Sequence, residues 1–335
     1  SQSWVTTPGG LVAALAPVMK NREAAWVGWP GLADVEPEPF TQGKTHYVPV
    51  SQSEQELVEF YEGFSNATIW PLYHDLIVHP EYHREWWDSY RRVNTRFAEA
   101  AAKTAAEGGF VWVHDYQLQL VPHMLRKLRP DVKIGYFHHI PFPAYDLFAQ
   151  LPWRDDILNG LLGADVVGFQ RESDAANMRH AISQSLGYSM QESTVRVPMT
   201  AGPKRDRNAP PTTASKTRQV TVDAFPISLD QAAMSKLAQK DSVLARAKEI
   251  RAELGKPKTV FLGVDRLDYT KGIRHRFKAL GGMLAEGTLD AKDVKGESLP
   301  QMVQCASHVD MTSTWISQRI GARAAQQLNL HPQVQ

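Results

Sequence analysis

An α/β protein with a mostly parallel sheet is the fold class that three observations predict. Short apolar runs alternate with longer helical segments over residues 110–286. The runs end at Gly, Pro or polar pairs, as strands feeding crossover helices do. At roughly 150 residues per domain, the 335-residue chain is expected to hold two domains.

The elements follow in order. Residues 11–19 read as a short helix after the Gly9-Gly10 pair. Ser53 and Glu56 match a capping box, with Leu57, Phe60, Tyr61 and Phe64 behind them at helical spacing. That helix is expected to end at the Phe64-Ser65-Asn66 turn. A longer helix is expected over 84–106, with Trp86, Tyr90, Val93, Phe97 and Ala101 on one face. Phe110-Val111-Trp112-Val113 reads as a buried strand, because it is continuously apolar. A helix near 118–128 precedes the strand Ile134-Gly135-Tyr136-Phe137, which stops at Pro141-Phe142-Pro143. Helices near 145–150 and 155–162, a strand at 165–169 and a helix at 172–186 continue the rhythm. Residues 201–218 are polar, basic and proline-rich, the composition of a surface loop. A strand at 219–227, a helix over 229–254, a strand at 259–264 and a helix at 273–286 complete it. Residues 295–335 carry no clear strand pattern and only a weak helical one near 315–328.

Composition narrows the function. The 43% hydrophobic and 22% charged residues are ordinary globular usage, which excludes a disordered, collagen-like or disulfide-scaffold chain. Thirty-seven basic against 36 acidic residues leave a net charge of +1. Neither nucleic acid nor an anionic membrane is therefore expected as a partner, and an anionic ligand needs a local cluster. The single Cys305 excludes an internal disulfide and a Cys-rich metal site, and fits a reducing, cytoplasmic setting. No apolar run is long enough to span a bilayer. The apolar stretch 10–19 lacks the basic leader of a signal peptide.

In a parallel sheet, ligands bind at the carboxyl ends of the strands. His114-Asp115 and His138-His139 close two successive strands there. A carboxylate and an imidazole at that place bind sugar hydroxyls or move protons; helix capping by Asp115 and a core histidine are the structural alternatives. No H-x-x-x-H or H-E-x-x-H spacing occurs, so no metal is expected. The segment Val264-Asp265-Arg266-Leu267-Asp268-Tyr269-Thr270-Lys271-Gly272 lies between a strand and a helix. Arg266 and Lys271 would suit a diphosphate, one as a fork and one as a point charge. The alternative is two solvated cations paired with Asp265 and Asp268. Tyr61, Trp70, Tyr73 and His74 form an aromatic group that suits sugar stacking or core packing. Gly10, before a helix, can bring backbone N–H groups to an anion. No G-x-G-x-x-G or P-loop pattern is present, against dinucleotide dehydrogenases and P-loop NTPases.

Gly9-Gly10-Leu11, Trp26-Val27-Gly28-Trp29, Tyr61-Glu62-Gly63-Phe64-Ser65-Asn66 and Trp70-Pro71-Leu72-Tyr73-His74 come first along the chain. His114-Asp115-Tyr116, His139-Ile140-Pro141-Phe142-Pro143, Gly168-Phe169-Gln170 and Asp265-Arg266-Leu267-Asp268-Tyr269-Thr270-Lys271-Gly272 follow. As an ordered set, over about residues 9–293, they resemble the UDP-forming trehalose-6-phosphate synthases of actinobacterial type. The resemblance implies a GT-B fold, with an N-terminal Rossmann-like acceptor domain (1–235), the start of a nucleotide-sugar domain (236–294) and a divergent tail (295–335). It implies glucosyl transfer from UDP-glucose to glucose 6-phosphate with retention, without a cofactor. By motif, Gly10 belongs to a loop over the ligands, Tyr61 and Trp70 touch the acceptor, and Asp115 touches the sugars. His139 binds the donor glucose, and Arg266 and Lys271 hold its diphosphate. Trp29 has a positional role. A homo-oligomer is left open.

The departures are specific. The family opens with an apolar strand ending in an Asn-Arg-Leu-Pro-like turn, and it carries a later Asp-Gly-Met-Asn-Leu-Val…Glu donor segment. Neither is found here, so the chain is expected to be truncated at both ends, and residues 295–335 are expected not to resemble the family. An inactive fragment that at most binds sugar phosphate, or a related transferase with another donor, are the alternative readings. His138 stands where the family more often has an apolar residue.

Overall fold

The computed structural model describes Leu15, Met19 and residues 23–76, 78–199, 217–254, 260–266, 269–288 and 301–307. Gly10, the 201–216 part of the expected loop and all of the helix expected over 11–19 except Leu15 and Met19 lie outside the described residues. Two compact units emerge, Ser1–Leu229 and Asp230–Gln335.

The first unit is built on a six-stranded sheet in the order β4-β5-β6-β9-β8-β7. Strands β4 (Phe110–His114), β5 (Lys133–His138), β6 (Val166–Phe169) and β9 (Thr217–Ala224) run parallel. Strands β7 (Met190–Gln191) and β8 (Thr194–Pro198) add an antiparallel edge. A second, three-stranded sheet is made of β1 (Ala24–Gly28), β2 (Phe40–Gln42) and β3 (Thr45–Pro49), in the order β1-β3-β2. These three strands, β7 and β8 are additions to the sequence expectation.

Strand alternation partitions the side chains. From β5, Ile134, Tyr136 and His138 enter the core, and β4 contributes Val113 to it. The opposite parity of β4 is open: Phe110 is 65% and Trp112 45% exposed. Among the described residues the strand expected to be buried throughout is therefore an edge strand, with Phe110 and Trp112 on an exposed face.

The capping box is formed. Ser53 Oγ accepts from the Glu56 N–H (3.2 Å), and the Glu56 carboxylate accepts from the Ser53 N–H (3.1 Å). Arg96 closes on the same carboxylate through two nitrogens, at 2.8 and 2.6 Å. The helix does not end at residues 64–66 as expected. It continues as a wide-turned π-helix over Leu57–Ile69 and returns to α geometry over Trp70–Tyr73. Gly63 explains how the next helix, Arg84–Thr104, approaches: a Cβ there would lie 2.6 Å from the Trp86 ring. Trp86 thus packs across Gly63, and Trp87 takes the buried place on the helix face. Helix Glu172–Leu186 ends on Gly187 in left-handed geometry (φ 64°), whose N–H bonds back to Ile182 and Ser183.

In the second unit, the helix expected over 229–254 is two, Gln231–Ala238 and Asp241–Glu253. Strand β10 (Val260–Arg266) pairs in parallel with β11 (Gln301–Ser307), and helix Ile273–Ala285 connects them. A strand therefore lies in the segment expected to have none. Its apolar residues, Met302, Val303, Cys305 and Ala306, do not alternate with polar ones, and its parallel partner is 41 positions away (Val260↔Gln301). No helix among the described residues is long and apolar enough to cross a membrane.

Candidate active site

Strands β4 and β5 bring His114, Asp115 and His139 together. Asp115 leaves β4 at φ 72°, a left-handed backbone that non-glycine residues seldom adopt. Backbone and side chain are both hydrogen-bonded there. Its N–H donates to Phe137 O (2.8 Å), and its C=O accepts from the Tyr136 hydroxyl (2.9 Å). Its Oδ1 accepts from the Tyr116 N–H (2.9 Å) and the His139 N–H (3.3 Å). Asp115 caps the turn Tyr116–Leu118, as the structural alternative foresaw, and also ties the end of β4 to the end of β5.

The two adjacent histidines part company by strand parity. His138 is fully buried among Tyr73, Phe142 and Phe169. Its Nδ1 lies 3.0 Å from the Tyr136 hydroxyl, whose hydrogen is committed to the Asp115 carbonyl. The ring must therefore donate from Nδ1 to the Tyr136 oxygen. Burial, and then the neighbouring His139, lower its pKa to about 3, so it is neutral.

His139 turns the other way. It lines a hollow of about 880 Å³ with His114, Phe110, Trp112, Phe137 and Phe225. Gly135 and Gly168 let these rings lie flat on the sheet: a Cβ at Gly168 would sit 3.0 Å from Phe137 and 3.1 Å from Phe225. His114 Nδ1 and His139 Nε2 are 3.1 Å apart. Burial and the His139 charge lower the His114 pKa to about 4, and burial lowers that of His139.

Trp70 is buried and joins this region through Tyr116, with ring centroids 5.6 Å apart. The Tyr116 hydroxyl donates to Asn66 Oδ1 (2.9 Å) and anchors the composite helix to the Asp115 turn. Tyr61 is half-buried beside Trp29, ring centroids 6.3 Å apart, and the Trp29 indole N–H donates to Leu32 O (3.2 Å). Pattern reading missed the residues that brace the 116–120 segment from beneath. Asn94 donates to Tyr90 O and Gln117 O (both 2.9 Å) and accepts from the Leu120 N–H (3.1 Å). Tyr90 donates to Tyr116 O (2.6 Å), and Tyr73 donates to Gln119 Oε1 (2.9 Å). A polar Asn94 on the buried face of helix Arg84–Thr104 is the signal that was available.

In the second unit, Arg266 ends β10, with its side chain outside the described residues. Lys271 is exposed, one residue before Gly272, whose φ of 63° opens helix Ile273–Ala285. Asp265, an expected partner of Arg266 and Lys271, accepts from Arg276 Nη2 at 2.5 Å. No ion pair to Lys271 is found among the described residues.

A family model, Glycosyltransferase family 20, matches residues 1–306. The chain belongs to glycosyltransferase family 20. That match runs past residue 293 and ends at residue 306, within β11. The trehalose-6-phosphate synthase of Mycolicibacterium gilvum is 50% identical over 319 residues, covering 93% of this chain and 62% of that protein. The chain thus spans less than two thirds of that relative's length. Among solved structures, an α,α-trehalose-phosphate synthase (UDP-forming) from Burkholderia vietnamiensis aligns with a TM-score of 0.77 at 28% identity, over 97% of this chain and 66% of that one. An E. coli structure with UDP-2-fluoro glucose bound aligns at 0.77 and 26%, over all of this chain and 70% of that one. The fold of this family 20 chain is GT-B, with a Rossmann-like parallel sheet in its first unit.

Proposed function

We propose that the protein transfers glucose from UDP-glucose to glucose 6-phosphate with retention, giving α,α-trehalose 6-phosphate and UDP. The observation that carries this reading is the joined His114-Asp115 and His139 at the carboxyl ends of β4 and β5. It occurs in a chain half identical to a trehalose-6-phosphate synthase. The E. coli relative's bound UDP-2-fluoro glucose supports a UDP-sugar donor.

In the reaction, the bond from the anomeric carbon to the UDP oxygen breaks, and its electron pair stays on the diphosphate. An acceptor hydroxyl bonds to the same face of that carbon and passes its proton to the leaving phosphate oxygen. Arg266 and Lys271 stabilise the charge that develops on the diphosphate, an effect on the order of 3 kcal/mol for one well-placed donor. His139 orients the donor glucose. Asp115 is a sugar binder rather than a nucleophile: its Oδ1 already accepts from two backbone N–H groups, which fixes it at the turn. Tyr61 and Trp70 serve the acceptor, and Gly10 belongs to the loop over the ligands. The first unit takes the acceptor and the second supplies the diphosphate cations.

Titration calorimetry with UDP and glucose 6-phosphate separately tests the assignment. Arg266→Ala should weaken UDP binding at least about tenfold and leave glucose 6-phosphate binding unchanged. Equal loss of both would remove Arg266 from its role.

A further inference from the structure

We propose that His114 is a positioning residue whose tautomer is coupled to that of His139, so that the two rings hold the same tautomer and change together. The shared state fixes whether His139 Nδ1 meets a sugar hydroxyl as donor or as acceptor. The sugar in this statement rests on the function proposed above; the proton arrangement does not.

The geometry is specific. His114 Nδ1 faces His139 Nε2 at 3.1 Å, and neither ring has another hydrogen-bond partner among the described residues. Trp112 packs on His114 and Phe137 on His139, with ring centroids 4.7 and 4.8 Å apart. The backbone N–H of His139 donates to Asp115 Oδ1, which fixes the ring's attachment point at the end of β5. Both rings are neutral near pH 7, because burial disfavours their charged forms. Two neutral imidazoles at this distance share one hydrogen.

The sharing couples the two tautomers. If His114 Nδ1–H donates, His139 Nε2 accepts and the proton of His139 sits on Nδ1. If His139 Nε2–H donates, His114 Nδ1 accepts and the proton of His114 sits on Nε2. Either way both rings adopt the same tautomer, and they change together. His139 Nδ1 is then a donor in the first state and an acceptor in the second. Both histidines line the 880 Å³ hollow, so a bound hydroxyl that prefers one state selects it for both rings.

Long-range nitrogen–proton spectra of the imidazoles in the full chain at neutral pH test this. The expected result is two neutral rings in the same tautomer, switching together if UDP-glucose switches either. Opposite tautomers in the two rings would overturn the proposal. His114→Asn places an amide where Nδ1 stood, so the His139 ring should still be hydrogen-bonded at Nε2 in the spectra. His114→Phe should release His139 into a mixture of tautomers and lower that affinity about tenfold. Unchanged affinity and an unchanged His139 tautomer in the Phe variant would also overturn it. If that variant does not fold, the wild-type spectrum still decides. If UDP-glucose binds nowhere on the chain, the functional reading fails while the spectrum still judges the pair.

Discussion

At the residue scale, burial makes three histidines neutral at the carboxyl ends of β4 and β5, and this couples stability to pH. His138 titrates near 3 and His114 near 4 in the folded chain, and His139 is lowered as well. In the unfolded chain each should titrate near about 6.5. Below that pH the unfolded state takes up more protons than the folded one. The stability is thus present above about pH 6.5 and is lost as pH falls toward the folded values, at up to about 1.4 kcal/mol per pH unit per ring. Urea unfolding across that window should show the decline, and His138→Phe should flatten it. A wild-type slope no steeper than that of the variant would show that His138 is not a source. Asp115 is the second residue with a measurable cost. Asp115→Ala removes a cap and keeps a left-handed backbone, so the first unit should lose about 2 kcal/mol.

His138 also shows what could be read in advance. Two adjacent histidines at a strand end must point to opposite sides, and that much follows from period two. Which of them enters the core depends on which face of β5 is covered, and local sequence does not carry that. Asp115 was legible both as a cap and as a ligand group, and the structure gives it the cap without removing the other role.

At the element scale, close packing is set by a few glycines. A Cβ at Gly163 would overlap the backbone N and Cα of His123 at the start of helix Val121–Leu128. Backbone cannot swing aside as a flexible side chain does, so Gly163→Ala should destabilise by about 1–3 kcal/mol. Gly282 in helix Ile273–Ala285 has open space around its Cβ position. Gly282→Ala should stabilise that helix by roughly 0.5–1 kcal/mol. Thermal or urea melts of the two variants should move in opposite directions.

The elements that sequence reading placed well are the long ones bounded by strong signals. The strands closing at His114 and His138 and the helix Glu172–Leu186 are examples. What it missed or misjudged has physical reasons. Strand β2 is three residues long and amid polar sequence. Strand β4 is continuously apolar, which pattern alone equates with burial, yet among the described residues Phe110 and Trp112 lie on an exposed face. The helix continuing beyond Phe64 has no stop signal overridden except Ser65-Asn66; Ser65 is buried, and Asn66 accepts from Tyr116, a partner 50 residues away.

At the scale of the whole molecule, the two units carry different chemistry. The first holds neutral imidazoles, a braced carboxylate and aromatic rings, a set suited to hydroxyls. The second holds a strand-to-helix turn with Arg266 and Lys271, a set suited to a diphosphate. If the units divide substrates in this way, UDP binding should weaken steeply with salt, because charge pairing dominates it. Glucose 6-phosphate binding should respond more strongly than UDP binding to Trp70→Ala. Titrations of both ligands at low and high ionic strength would check this.

The most direct measurement is UDP release by this chain from UDP-glucose, with and without glucose 6-phosphate. The expected result is release that requires glucose 6-phosphate and is abolished in Arg266→Ala. Binding of both ligands with no release, or release at the same rate without the acceptor, would contradict glucosyl transfer to glucose 6-phosphate.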